Sequence, residues 1–513
     1  MVSTIAGTYV LVDMMKSEAD ALTKPEKLRA WLVGSMVSKW VVDQTVKTGM
    51  TLNIGHKSLQ FTKLPDGSYQ APPGITSQLS QIQNNPSCGH MLKERMGNKL
   101  CFDASSNRIT RWENEDVPSV DMDFSYTTIN GKPYLQTVTD IYGRQLVLVY
   151  SDQRLTIVQE KSSAGSGVSR AVSYGNTTGN LETYVDPRGK TWTYTYYPDH
   201  RIWQVKDPLQ NTTTNTYENG KVKIQKSPNQ YDYLYTFSGY VENLPAICRI
   251  DTNPVSTGGY YSTEEDPNSE RVTKYCFDGN GRLITHIDAK GQKTVNAYDD
   301  RNNIISTTDI RGYTTNYNYD PVSNNLLTAT KNGIVIENNT YYSTYPYLLR
   351  NKQSIGAPAT TFTYHDRCTH RIKSIAVSGI SSQYEYNTYC RISTFTDANS
   401  LITTYTNYDS FGNPQTITTD NQVIGKTYTY RDELWSASVG NPAQFTISYS
   451  YYPDGLPYTI SYPNTSYQYY DNGYLQSRTM GGNIIPYDYT PSGKLKTVNN
   501  CQRRRENAPI MAV

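Results

Sequence analysis

Apolar and polar positions alternate in short runs along most of the chain, and the runs are separated by Asp- and Gly-containing breaks. In Leu283-Ile-Thr-His-Ile287 the apolar residues fall largely on alternate positions, the period of a strand with one packed face. Asp288-Ala-Lys-Gly291 follows, with Asp first and Gly last, as a type I turn prefers. Residues 292–298 then return as a second strand dense in Thr and Tyr, and Asp299 opens the next turn. The cycle repeats every 21 residues: Phe277-Asp278, Tyr298-Asp299 and Tyr319-Asp320 are in register, as are Asp288-Ala-Lys-Gly291 and Asp309-Ile-Arg-Gly312. Such a period holds only two strands of about five or six residues each, and neighbours this close in sequence can only be antiparallel. The pattern therefore predicts a mostly β protein, a long antiparallel meander of short hairpins.

The same grammar recurs at Asp186-Pro-Arg-Gly189 and Asp207-Pro-Leu-Gln210, and decays at Asp397-Ala-Asn-Ser400. Serine in the last position is compatible with a type I turn, which places no demand for a positive φ there. Residues 17–47 differ. Thr23-Lys-Pro25-Glu26 reads as a capping box, and Leu28, Trp31, Leu32, Met36, Trp40 and Val41 recur at helical spacing, which predicts one amphipathic helix with its tryptophan stripe against the sheet.

Composition sharpens the picture through tyrosine. There are 46 Tyr against 9 Phe and 6 Trp, many of them two apart, as in Tyr194/Tyr196, Tyr317/Tyr319, Tyr384/Tyr386 and Tyr487/Tyr489. That spacing puts both rings on one face of a strand and predicts cross-strand aromatic ladders at a half-wet surface. A mean hydropathy of −0.63 fits a thin sheet with two accessible faces. The net charge of +2, with acids and bases interspersed, gives no field for nucleic acid or an anionic membrane. No apolar run approaches the roughly 20 residues of a membrane span, and the N-terminus lacks a signal-peptide pattern.

Candidate chemistry is sparse. His365-Asp-Arg-Cys368-Thr-His370 is the densest set of metal-type ligands and Cys88-Gly-His90 with Cys101 a weaker one; neither has the second pair that zinc needs, and both read as structure. No disulfide framework is legible in the seven cysteines Cys88, Cys101, Cys248, Cys276, Cys368, Cys390 and Cys501, and Cys276 reads as a small apolar strand residue. Gly165-Ser-Gly-Val-Ser169 lacks the strand and helix of a nucleophile elbow. The repeated aspartates are occupied in opening turns. The expected catalytic, cofactor-binding and metal sets are accordingly empty, and the chain is expected not to be an enzyme. Exposed Trp192 and Trp203 with the tyrosines can stack on sugar rings, or on one another.

The repeat resembles the RHS or YD-repeat family: Tyr-Asp, Gly-Arg/Asn-Leu, Asp-x-x-Gly, then Tyr-x-Tyr-Asp, as in Phe277-Asp-Gly-Asn-Gly281-Arg-Leu283 through Tyr298-Asp299, with further matches at Tyr408-Asp-Ser-Phe-Gly412-Asn and Tyr470-Asp-Asn-Gly473-Tyr-Leu475. The resemblance covers residues 130–500, and residues 61–74 are similar to a segment that precedes the repeats in bacterial members. It implies a strip that curls into a shell or spiral, in some members around a toxic C-terminal domain, in others at the cell surface with carbohydrate binding. No Asp-Pro pair (Asp186, Asp207, Asp266, Asp320) is followed by Gly-Leu, so the family's self-cleavage motif is missing.

Four segments are expected: a helical 1–50, irregular β-structure over 51–160, the repeat array over 161–500 in one elongated unit of about thirty strands, and a disordered tail over 501–513 that carries Arg503, Arg504 and Arg505. Residues 239–271 break the repeat and are expected as a surface insertion. Both ends read as cuts, which makes the chain a fragment of a larger RHS protein. Its expected role is a structural shell or scaffold linked to toxin delivery, located outside the cell or at its surface, with an enclosed polypeptide as partner; the alternative is a cell-surface module that binds a glycan.

Overall fold

The computed structural model describes residues 49–498, except 55–56, 116–120, 164–165, 178, 230–231, 243, 249–258 and 267–270. The predicted N-terminal helix and the C-terminal tail lie outside the described residues. Among the described residues the protein is built almost wholly of strands, 41 in number with two 3-10 turns, and contains no α-helix.

Two compact units divide the chain, residues 1–109 and 110–513. In the first, Gly49–Ile54, Lys57–Lys63 and Tyr69–Gln70 form a three-stranded sheet, with Phe61 buried. The hairpins of Gln78–Gln81, His90–Lys93 and Asn98–Phe102 bury Leu79, Leu92 and Leu100. In the second, from Met122–Ile129 to Tyr487 and its neighbours in Asn483–Tyr489, each strand pairs antiparallel with its predecessor and its successor in sequence. The result is the meander that the alternation predicts.

The turns are more specific than a plain type I reversal. At 288–291 the Gly291 amide donates to the Asp288 carbonyl (2.9 Å) and the Asp288 amide to the Gln292 carbonyl (3.0 Å). The Asp288 carboxylate accepts from the Lys290 and Gln292 amides at 2.9 and 2.8 Å. This is a type I turn followed by a residue in the left-handed region that forms a bulge; Gly291 has φ +78°, at no cost to a residue without Cβ. The expectation for Ser400 is corrected accordingly: its φ is +67°, because the last turn position must be left-handed for the strands to pair again. Gln210, Asn302 and Cys390 adopt the same conformation.

Tyrosine does something that its spacing did not disclose. The register between Leu283–Ile287 and Lys293–Tyr298 ends at Thr285 opposite Val295, which leaves Leu283 without a partner in the next strand. The Tyr298 hydroxyl donates to that carbonyl at 2.9 Å. The bond recurs with the same 15-residue step in Tyr319 to Ile304, Tyr341 to Leu326 and Tyr364 to Leu349, at 2.9–3.1 Å. Burial raises the Tyr319 hydroxyl above its ordinary pKa, so it stays a donor. Aromatic ladders form only locally, as in Tyr174, Tyr184 and Trp192 with centroids 5.8 and 5.4 Å apart. We expect Tyr298→Phe to lower stability by about 1 kcal/mol, the usual net worth of one hydrogen bond, and a shift in urea midpoint without change in slope measures it.

Residues 239–271 are not a pure surface insertion. Gly259–Asp266 is a full strand of the sheet, paired on both sides. Leu244 and Cys248 are buried against Cys276, with Val241, Tyr261 and Ile284 around them. Cys276 is not an inert apolar filler either, since it forms a disulfide with Cys248.

Candidate functional site: a seam between successive turns of the strip

A meander has two edges of hairpin tips. One, here the Tyr edge, holds the tips that follow each closing tyrosine, such as 299–302, 409–412 and 470–473. The opposite edge holds tips such as 140–143, 186–189, 288–291 and 309–312. Strand twist curls the strip until its opposite edge over residues 140–229 meets its Tyr edge over residues 391–492, across sequence separations of 249 to 283 residues.

Polar and aromatic tips make this seam. At one end Tyr142 packs edge-on against Phe411, 5.5 Å between centroids, and its hydroxyl accepts from Arg391 Nη2 at 3.0 Å. Arg144, held by Asp140 at 2.6 Å, lies over the Phe411 ring at 4.3 Å, a cation–π contact. Arg188 is the central grip. Its Nε lies 2.5 Å from Asp454, its Nη2 3.6 Å from Asp186, and its two Nη donate to the Tyr470 and Asp471 carbonyls at 3.4 Å. The side chains of Arg188 and Asp186 are only 9% and 8% exposed, so water screens the cluster little. Lys190 pairs with Asp471 at 2.7 Å, Asn472 donates to Asp207 at 3.0 Å, and Asn229 donates to Ser492 at 2.6 Å.

A groove of about 610 Å³ opens beside Arg188, with Tyr184, Trp192 and Tyr474 among its apolar walls and Asp186 and Asp454 among its polar ones. Trp192 is already committed to the ring stack with Tyr184, the alternative that its ladder position allowed. Trp203 is 41% exposed and stands near Tyr197 at 6.2 Å.

The other sequence candidates occupy structural places. His365 replaces aspartate at a turn opening, where its Nδ1 accepts from the Arg367 and Cys368 amides at 3.3 and 3.2 Å. His370 stacks on Tyr347 at 5.7 Å and shares a 2.9 Å hydrogen bond with its hydroxyl. Cys368 forms a disulfide with Cys390, and Cys88 with Cys101. His90 lies 3.2 Å from the Tyr69 hydroxyl; burial, and then the Lys63 charge, lower its pKa. Ser169 sits in a strand and donates to the Glu160 carbonyl at 2.9 Å. Among the described residues no group of three His, Cys, Asp or Glu side chains is placed to hold a metal ion, and no helix is long and apolar enough to cross a membrane.

Two of the turn aspartates, Asp309 and Asp320, tie the stability of the strip to pH. Asp309 is held below the ordinary carboxylate range by Lys331 first, against the opposing effect of burial, and then by the Tyr313 and Arg311 amides. The Ser323 amide and hydroxyl do the same for Asp320. A carboxylate depressed in the folded state contributes stability that is complete above its unfolded pKa, about 3.9, and is lost as pH falls through the folded value. The urea midpoint should therefore hold from pH 7 to about 5 and fall below about 4. In Asp309→Asn, that fall should be smaller.

The fold and seam define a coiled strip of antiparallel hairpins gripped tip to tip. No protein-family model matches the chain, and no curated protein matches it in sequence. Among solved structures it is similar to the TcdB2–TccC3–Cdc42 crystal structure, at 12% identity and a TM-score of 0.42 over 87% of this chain and 30% of that one. It is also similar to a Photorhabdus luminescens Tc holotoxin pore carrying a TccC3 variant, at 11% identity and a TM-score of 0.44 over 94% of this chain and 28% of that one. The chain thus spans less than a third of the length of those chains.

Proposed function

We propose that the protein is a non-catalytic shell scaffold of RHS/YD-repeat type, whose coiled strip walls off a space for an enclosed polypeptide and serves toxin delivery. The observation that carries this reading is the seam. One revolution from tip 140–143 to tip 409–412 takes roughly 23 strands, and at about 4.8 Å per strand this is a circumference of about 110 Å and a diameter of about 35 Å. A barrel of about eight strands is already filled by its own side chains, so a coil this wide encloses a space that its own side chains do not fill. Burial agrees: among the described residues of the second unit the buried apolar side chains are Leu244, Cys248, Cys276, Ile287, Ala329, Leu348 and Cys368, far too few for a filled core.

The disulfides Cys88–Cys101, Cys248–Cys276 and Cys368–Cys390 support a location outside the reducing cytoplasm. Small-angle scattering from the full chain tests the shell. A hollow profile, with its interior minimum, is the expected result; the profile of an open ribbon or of a filled globule overturns the reading.

A further inference from the structure

The hydroxyl bond from a closing tyrosine to a carbonyl of the preceding strand breaks at Phe237. Upstream, the bond runs from Tyr196 to Leu181 and from Tyr217 to Ile202, at 2.6 and 2.8 Å. Between Lys221–Lys226 and Asp232–Phe237, the register sets Ile224 opposite Leu234, Gln225 opposite Tyr233 and Lys226 opposite Asp232. It repeats the register of Thr285 opposite Val295, His286 opposite Thr294 and Ile287 opposite Lys293. Aligned in this way, Val222 stands in the place of Leu283 and Phe237 in the place of Tyr298. The Val222 carbonyl therefore lacks a partner in the next strand, and the side chain placed to donate to it has no hydroxyl. Among the described residues no other side chain donates to it.

Phe237 does not pack down as those tyrosines do. It is 46% exposed, whereas Tyr217, Tyr298 and Tyr319 are half-buried, and its ring lies nearly parallel to that of Tyr235, at 16° and 6.5 Å. A cavity of about 350 Å³ opens there, with Val222, Tyr235, Phe237, Lys221, Lys223 and Glu218 among its walls. That volume is at the low end of small-molecule sites and admits a single ring with a short chain. The charge around it is unbalanced. Lys223 pairs with Glu218 at 2.8 Å, but Lys221 has no carboxylate partner among the described residues; its Nζ lies 5.2 Å from the Phe237 centroid and 3.5 Å from the Ser238 carbonyl. The cavity thus brings together a carbonyl without a donor, two aromatic rings and an ammonium without a counter-ion.

We propose that this cavity binds a small phenolic acid, whose hydroxyl donates to the Val222 carbonyl as the repeat's own tyrosine does elsewhere, whose ring packs on Phe237, and whose carboxylate meets Lys221. Each part of the guest answers one feature of the cavity. The hydroxyl supplies the donor that an unpaired carbonyl calls for, the ring extends the Tyr235–Phe237 pair, and the carboxylate forms a charge-assisted hydrogen bond with the ammonium. The inference rests on the register and the cavity and not on what the coil encloses, so a failed shell reading leaves it standing.

Isothermal titration calorimetry of the full chain with para-hydroxyphenylpropionate tests it. Saturable binding of one molecule per chain is expected. Phenylpropionate, which lacks only the hydroxyl, should bind about tenfold or more weakly, since it leaves the carbonyl unpaired. Tyramine, with an ammonium in place of the carboxylate, should lose at least as much, because like charges then meet. Lys221→Ala, at an exposed position, should weaken binding of the acid about tenfold without moving the urea midpoint. Phe237→Tyr should raise the urea midpoint and abolish binding together, because the chain's own hydroxyl then takes the Val222 carbonyl. Absence of saturable binding overturns the proposal, as does equal affinity for phenylpropionate or an affinity that Phe237→Tyr leaves unchanged.

Discussion

Arg188→Ala should lower stability by about 3 kcal/mol, the low end of the cost of breaking a buried ion pair from one side, and should part the seam around it. The size follows from what the arginine leaves behind. Asp454 and Asp186, at 16% and 8% side-chain exposure, lose the cation 2.5 Å and 3.6 Å away, and the Tyr470 and Asp471 carbonyls lose their donors. Charges left buried and unpaired cost far more than exposed ones. Lys190, whose side chain is 36% exposed in its pair with Asp471, is the contrast, and Lys190→Ala should cost less than about 1 kcal/mol. Arg188→Lys should fall between wild type and Ala, because an ammonium cannot reproduce the planar fork. Urea unfolding gives the energies, and hydrogen exchange gives the location: in Arg188→Ala, amides of 452–455 and 470–473 should exchange faster while those of 299–312 do not. Unchanged exchange at those tips would remove Arg188 from its central place in the seam.

Cys248→Ser with Cys276→Ser should cost about 3.5 kcal/mol if chain entropy dominates, since the bridge closes 28 residues. Two further effects act in the same direction. Leu244, 2% exposed, loses the anchored loop that packs it, and the Cys248 carbonyl, which accepts from the fully buried Thr285 hydroxyl at 3.1 Å, becomes free to move away. The Cys88–Cys101 bridge closes only 13 residues, so its removal should cost less, about 3 kcal/mol. Equal losses from the two removals would argue that strain and packing, not loop length, set the contributions. Limited proteolysis of the Cys248→Ser, Cys276→Ser protein should cut first within residues 244–248, which the bridge anchors.

Local structure was legible because it is encoded locally. Alternation over Leu283–Ile287 and the Asp-x-x-Gly tips are properties of a few adjacent residues, and the strands and turns stand where they predict. The left-handed φ of Ser400 was missed because serine is tolerated both with and without it; only the two bonds that close the bulge around Asp397 decide. The tyrosine hydroxyl bond was missed for a related reason. Its signal is present as the constant 15-residue step from Leu283 to Tyr298 and from Ile304 to Tyr319, but the step gains meaning only once the register shows the carbonyl lacking a strand partner. The disulfides belong with these: Cys368 and Cys390 lie in consecutive tips of one edge, a proximity that strand pairing creates and spacing alone does not state.

By itself the sequence determined the class of the protein, since a 21-residue period with two turn signals leaves no architecture but short antiparallel hairpins, and it determined the turn chemistry that each tip carries. Tertiary structure alone decided which tips meet. Arg188, Lys290 and Arg311 stand in the same local motif, yet only Arg188 is gripped, because the partner tips lie more than 200 residues away along the chain and are brought there by the accumulated twist of every strand between. A small rotation per strand is invisible in any one repeat; summed around a revolution, it places the seam.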